Sequence, residues 1–243
     1  MQYTDKQVEI KRTVEQDKPF LGRNIDQMPL LLGEERSPWP AVRFMKERIA
    51  HVNEFPDLND YLDVSDLIAY DSSERSKDIK FILTVDRNGR VTEKGRKALE
   101  LINPYAKPTS DRAILLSNDL YDSLPGIIVA KSDLGILERD LTEEEVLESK
   151  VWRILARHPD EVSSEFAEDS DLLKEYADWV KGQTKQGTNM GVYMDNNSNK
   201  NAKLRVWCVG GLVGRYYANG WDDLGYDNSR FVGIAPEELG KDI

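Results

Sequence analysis

Beyond Gly187 the hydrophobic pattern of this chain changes period. From about Ser170 to Gly182 the apolar residues Leu173, Tyr176, Ala177 and Val180 share one helical face. After Gly187 they alternate. Met190 to Met194 has strand character, Asp195-Asn196-Asn197-Ser198-Asn199 is a polar turn, and residues 204–209 form a second strand. A twenty-residue polar and aromatic segment, 210–229, follows, and the chain closes on an apolar strand over 231–235, ended by Pro236. Upstream, residues 113–116 and 127–130 are apolar runs of strand length. Thr142-Glu143-Glu144-Glu145 is a capping box, which starts a helix carrying Leu147, Val151, Ile154, Leu155 and His158 on one face and stopping at Pro159. The order strand, helix, helix, strand, strand, loop, strand predicts an α+β unit over 111–243. In it, two helices pack on a small, mainly antiparallel sheet, because each has one apolar face to bury.

The first 110 residues are less regular and read as an extension or a small domain of their own. Val42, Met45, Ile49 and Val52 predict a helix over 41–52, with Pro40 at its first turn. Ile79, Phe81, Leu83 and Val85 alternate before the turn residues Asp86-Arg87-Asn88-Gly89, which predicts a hairpin over 79–92. A short helix over 93–102 follows.

Composition narrows the function. A net charge of −11 opposes a nucleic-acid surface, since phosphate needs a surplus of Lys and Arg. No stretch approaches the ~18 apolar residues of a membrane helix, and the polar N-terminus does not read as a signal peptide. A single cysteine, Cys208, leaves no internal disulfide or multi-cysteine metal site. In an alternating strand it reads as a small buried hydrophobe. His51 and His158 fall at helix ends, where they complement the dipole. Asp195-x-Asn197-x-Asn199 starts like a calcium loop. Lys200 stands where that loop needs glycine, and Val206 where it needs a bidentate glutamate. Gly210-Gly211-Leu212-Val213-Gly214 lacks the Lys-Ser/Thr pair of a phosphate loop. No cofactor is expected.

Segment 210–229 holds five Gly, three Tyr, three Asp and two Asn, and no Lys, Glu, Gln or Met. Tyr, Asn, Ser and Gly are the residues of binding loops: Tyr offers wide contact at low rotamer cost and the small polar residues adapt. Loops of this length are functional or disordered, and Tyr216, Tyr217, Trp221 and Tyr226 argue against disorder.

The C-terminal half resembles the C-type-lectin fold, and within it the variable proteins of diversity-generating retroelements, including those of archaea and their viruses. The resemblance is carried by residues 141–158, LLKEYA at 172–177, MGVY at 190–193, LRVWCVGG at 204–211 and RFVGIAP at 230–236. Such retroelements mutate adenines in a copied template. An Asn codon changed at its first two bases can yield Tyr, Asp, Ser, Gly, Arg, Ala or Asn, among others, and never Lys, Glu, Gln, Met or Trp. Arg215, Tyr216, Tyr217, Ala218, Asn219, Gly220, Asp222, Asp223, Tyr226, Asp227 and Asn228 fit that code; Trp221 departs from it. Many members close the variable region on a Gly-x-Arg-like strand, whereas Gly233-Ile234-Ala235 lacks the Arg.

The resemblance implies a non-catalytic display protein on a virion or cell surface. A variable segment of about 205–230 would recognise a protein or cell-surface ligand, without nucleic acid or membrane insertion. The ligand-binding residues expected are Trp207, Val209, Leu212, Arg215, Tyr216, Tyr217, Asn219, Trp221, Asp222, Asp223, Tyr226, Asp227 and Asn228. Alternation in 204–209 places Trp207 opposite Leu204, Val206 and Cys208, so it is expected on an exposed face beside the loop. Two alternatives remain: a metal-assisted hydrolase using Asp222, Asp223 and Asp227, and a purely structural virion protein.

Overall fold

The structure is a computed structural model. It describes residues 17–52, 62–71, 78–106, 108–109, 113–135, 137–169, 171–183, 190–194, 202–212, 215–220, 224, 227 and 229–239. The polar turn expected at 195–199 lies outside these.

Two sheets organise the described residues. The smaller joins β1 (Asp17–Leu21), β2 (Ser37–Pro38) and the late strand β11 (Arg230–Ile234), in the order β1-β11-β2, all antiparallel. The larger contains β3 (Leu62–Asp71), β4 (Asp78–Ile82), β5 (Ile114–Leu116), β6 (Ile127–Ala130), β7 (Asp140–Leu141), β8 (Met190–Tyr193), β9 (Ala202–Leu212) and β10 (Arg215–Asn219). Its path runs β6-β4-β3-β9-β10-β8-β7, with β5 pairing β9 off the path. Among the described strand pairs only β10 with β8 is parallel. The sheet is mainly antiparallel as expected, but eight-stranded rather than small.

The boundary expected at residue 110 falls inside this sheet. β3 and β4 precede it in sequence, yet β3 pairs with β9 between Leu62 and Asp71. The first 110 residues thus supply central strands instead of an appended unit. The sequence conceals β3 because it is buried at every position, and a strand covered on both faces shows no polar period.

Helices lie on both faces of the larger sheet. On one face α2 (Ala41–His51), α5 (Glu143–Glu148), α6 (Lys150–Leu155) and α7 (Leu172–Gln183) bring Phe44, Met45, Val146, Trp152, Leu155 and Tyr176 into a core with Ile68, Phe81, Trp207 and Val209. On the other, α1 (Asn24–Gly33), α3 (Glu93–Leu99) and α4 (Asn118–Ser123) bring Met28, Leu31, Leu99 and Tyr121 onto Leu67, Ala69, Leu204 and Val206. Leu155, Tyr176 and Val180 of the expected stripes are fully enclosed, whereas Ile49, Leu147 and His158 are only partly buried, and Val146 and Trp152, outside the expected stripe, are enclosed as well.

Three expected elements differ. The segment 210–229, expected as a loop, carries the end of β9 and the whole of β10. The hairpin over 79–92 does not form as such. β4 already pairs with β3 and β6, so both of its edges are used, and the return is a single bridge between Val85 and Val91. The chain then enters α3, capped by Thr92 accepting from the Gly95 amide. The helix expected from Thr142 to Pro159 is broken at Ser149, which is extended and caps α6 through the Trp152 amide. The break suits a second turn that is buried nearly all round: Val151, Trp152, Ile154 and Leu155 are fully enclosed, more than one stripe of a straight helix can turn inward.

The capping box at α5 forms completely. The Thr142 hydroxyl accepts from the Glu145 amide, and the Glu145 carboxylate accepts from the Thr142 amide while pairing with Arg139. The Arg139 hydrogen bonds, followed by the Thr142 amide, lower the Glu145 pKa to about 2. A lowered folded pKa means that the contribution is complete above the ordinary glutamate range, near 4.5, and is lost as pH falls through about 2. The Thr142 amide resonance should therefore titrate with a midpoint near about 2, and Glu145→Gln should remove that titration. A midpoint at the ordinary glutamate value would show that the Arg139 pair does not hold in solution.

Candidate functional site

Residues expected to form the binding surface separate by strand register. β10 lies between β9 and β8, with Tyr217 opposite Gly210 and Gly191, and Asn219 opposite Cys208 and Tyr193. Side chains alternate across a strand, so Tyr216 and Ala218 point to the opposite face, into the core shared with Trp207 and Val209. Accordingly Tyr216 and Ala218 are buried, while Tyr217 and Asn219 are partly exposed.

Trp207 is not on an exposed face. It is fully buried, and its ring stacks on Phe81 with centroids 5.4 Å apart and planes 13° apart. The alternation over 204–209 holds, but both faces of β9 are covered, so the residue opposite a core position is itself core. Val209 is buried for the same reason. These two, with Tyr216, belong to the scaffold and not to an open surface.

Tyr216 is held by an aromatic cluster that the sequence did not reveal. Trp179 meets it edge-on, with centroids 5.4 Å apart, and Tyr176 stacks on Trp179 at 5.7 Å. The fully buried Arg48 guanidinium lies 3.9 Å from the Phe44 ring centroid and 5.3 Å from that of Tyr216. It donates to the Tyr176 hydroxyl at 2.7 Å. Burial raises the Tyr176 pKa, keeping the phenol neutral. The π-faces of Phe44 and Tyr216 and the Tyr176 hydroxyl are among the groups that receive the Arg48 guanidinium. Trp179 three residues after Tyr176 was the available signal, since such pairs share a helix face.

On the other face the Tyr217 ring leans on Tyr193, with centroids 4.6 Å apart and planes 59° apart. Gly191 makes room for them: a Cβ there would stand 2.8 Å from the Arg139 carbonyl, 3.1 Å from the Tyr193 ring and 3.2 Å from the Tyr217 ring. A glycine inside a strand marks this kind of close approach, so Gly191 and Tyr193 could have been singled out. Gly220 follows β10 on the core side. Its amide donates to the Tyr193 carbonyl at 2.8 Å, and a Cβ there would lie 3.0 Å from the Trp207 ring.

Downstream, Leu224 is fully buried and its carbonyl accepts from the Ile25 amide, while the Ser229 carbonyl accepts from the Gly22 amide. These bonds tie the segment to the start of α1. Asp227 is exposed. Leu212 and Arg215 end β9 and begin β10. Trp221, Asp222, Asp223, Tyr226 and Asn228 lie outside the described residues, and with them most of the expected acidic cluster. Among the described residues no group of three or more His, Cys, Asp or Glu side chains could hold a metal ion. Cys208 is buried, and His51 closes the last turn of α2. His158 follows α6, where its Nδ1 accepts from the Asp160 amide at 3.2 Å.

This architecture is the C-type lectin fold. The chain superposes on a solved structure described as accommodation of massive sequence variation in Nanoarchaeota by the C-type lectin fold, with a TM-score of 0.57 and 16% identity. The match covers 93% of this chain and 100% of that one. At this identity the likeness is one of fold, and it spans nearly the whole chain rather than its C-terminal half. No family model matches the sequence. No curated protein matches it either. Among the described residues no helix is long and apolar enough to cross a membrane.

Proposed function

We propose that the chain is a non-catalytic display protein of a diversity-generating retroelement, whose C-terminal segment recognises a protein or cell-surface ligand from a virion or cell surface. The observation that carries this reading is a division of labour within one fold. Two helix-covered cores supply the buried area, while the partly exposed Tyr217 and Asn219 and the exposed Asp227 come from the segment whose composition fits adenine mutagenesis. Substitutions at accessible positions away from a core typically cost within ~0.5 kcal/mol, so one scaffold can carry many surfaces. Aromatic side chains at such a surface would anchor binding.

The deciding experiment is to sequence the DNA around the gene. The reading requires a near-copy of the codons for residues of about 205–236, differing at adenines, beside a reverse transcriptase. A complete flanking sequence without such a copy rejects membership in a retroelement. Calorimetric titration with calcium, magnesium and zinc separates the catalytic alternative: tight stoichiometric binding would favour a metal-assisted hydrolase.

A further inference from the structure

Among the described strands that end a sheet, β6 is the one left open. It pairs with β4 on one side, from Ile127 opposite Phe81 to Ala130 opposite Asp78, and among the described residues no backbone hydrogen bond reaches its other side. In an antiparallel ladder alternate residues turn their N–H and C=O groups away from the partner. The outer side of β6 therefore presents donors and acceptors to a further strand. We propose that β6 is a self-association edge, at which two copies of the chain pair antiparallel about a two-fold axis into one continuous sheet. The proposal does not depend on the display function.

Natural sheet edges are kept apart by charge, proline, short length or a covering segment. β1 carries Lys18 and Pro19, β2 is two residues ending in Pro38, and β7 is two residues that include Asp140. β5 is partly covered by the bridge from Pro108 to Ile114. β6 has none of these devices: it reads Ile-Ile-Val-Ala, and Ile128 is 63% exposed. A second copy is the occupant that fits. A neutral strand of this kind is complementary to itself, and a two-fold axis brings the same patch of each copy together. With the two strands centred on each other, both Ile128 side chains lie on one face of the joined sheet, within reach across the seam. The end charges agree. Asp122 is exposed ahead of the strand and Lys131 is exposed behind it. Antiparallel pairing sets the Lys131 end of one copy by the Asp122 end of the other, whereas parallel pairing sets like beside like. The Lys131 ammonium gives one donor to the Asp71 carbonyl at 3.0 Å and has three in all. The assembly closes at two copies, because pairing uses β6 of both and the far edge, β7, is too short to extend the sheet. β4, β3 and β9 lie between β6 and β10, so the seam is remote from Tyr217 and Asn219. A dimer built this way carries two copies of that surface, which raises avidity for a repeated ligand.

The test is sedimentation velocity on the full chain from low to high micromolar concentration, with amide hydrogen exchange on the same samples. Strands this short make a small seam, at the weak end of interface sizes, so the mass should rise from one chain to two across that range. Amides on the outer side of β6 should gain protection at the high concentration. Ile128→Lys should raise the dissociation constant roughly tenfold or more, because the edge then carries a charge. Its melting temperature at the low concentration should match the parent's, since the side chain is mostly in solvent. Leu115→Lys, at an exposed position of β5, is the control and should dimerise as the parent does. A chain that stays monomeric throughout overturns the proposal. So does a dimer that Ile128→Lys leaves intact, or one in which residues 127–130 exchange as fast as in the monomer. Open-ended assemblies overturn it as well, because the two-fold pairing closes. If Ile128→Lys does not fold, the exchange measurement on the parent chain decides.

Discussion

Trp207→Ala is expected to cost ~3–5 kcal/mol, the range for deleting a large aromatic side chain from a packed core. In a chain of this size that corresponds to a fall of roughly 10 °C in melting temperature. The indole is fully enclosed, stacked on Phe81 and backed by Gly220. Its removal therefore strips contacts from β4 on one side and from the end of β10 on the other. Tyr217→Ala, in the same strand β10 but on its partly exposed face, should cost less, about 1–2 kcal/mol, because its ring rests on Tyr193 and its hydroxyl is enclosed. Urea titrations with an unchanged m-value would measure both. If Trp207→Ala shifts the midpoint no more than Tyr217→Ala, the covered-sheet arrangement is wrong and Trp207 is a surface residue after all.

The second large effect lies at a buried ion pair. The Arg157 Nη2 donates to the Asp66 carboxylate at 2.6 Å, and both side chains are fully enclosed. The other Asp66 oxygen accepts from the Ala41 amide at 2.8 Å, so this carboxylate also caps α2. Arg157→Ala should cost ~3–5 kcal/mol, because it leaves a carboxylate buried with its partner removed. Asp66→Leu combined with Arg157→Met should recover most of that loss, since burying the pair is itself costly. What it should not recover is the cap, about 1 kcal/mol. A double-mutant cycle on denaturation midpoints separates the two contributions. A loss below ~1 kcal/mol for Arg157→Ala would mean that Asp66 takes a proton in its place.

Asp66 also explains why the start of α2 could be read only in part. Pro40 and the apolar spacing of Val42, Met45 and Ile49 located the helix, but Pro40, at the N-cap, offers no side-chain acceptor. The acceptor comes from β3, where a register irregularity between Asp63 and Leu67 turns Asp66 towards the helix. The same irregularity lets the Ser65 amide reach the Trp39 carbonyl at 2.8 Å. Nothing local to residues 37–41 encodes these bonds.

Local chemistry was sufficient wherever an element satisfies itself. The Thr142/Glu145 box, the α7 stripe, and strands β8, β9 and β11 could be read from residues three, four or two positions apart, because caps and amphipathic faces are short-range properties. The C-type-lectin likeness was legible on the same C-terminal elements. Tertiary structure alone decided which side of each strand is empty. A strand in isolation has two faces that differ in polarity, and an alternating pattern assigns one to the core. In this chain α2, α5, α6 and α7 cover one face of the larger sheet and α1, α3 and α4 the other. Trp207, which the alternation placed on the surface, and Val209 and Tyr216, which the resemblance made ligand-binding, are therefore buried, and Tyr217 and Asn219 remain partly exposed. Whether a side chain meets water depends on what packs over it, and these covering helices come from the first 183 residues, far in sequence from the segment they enclose.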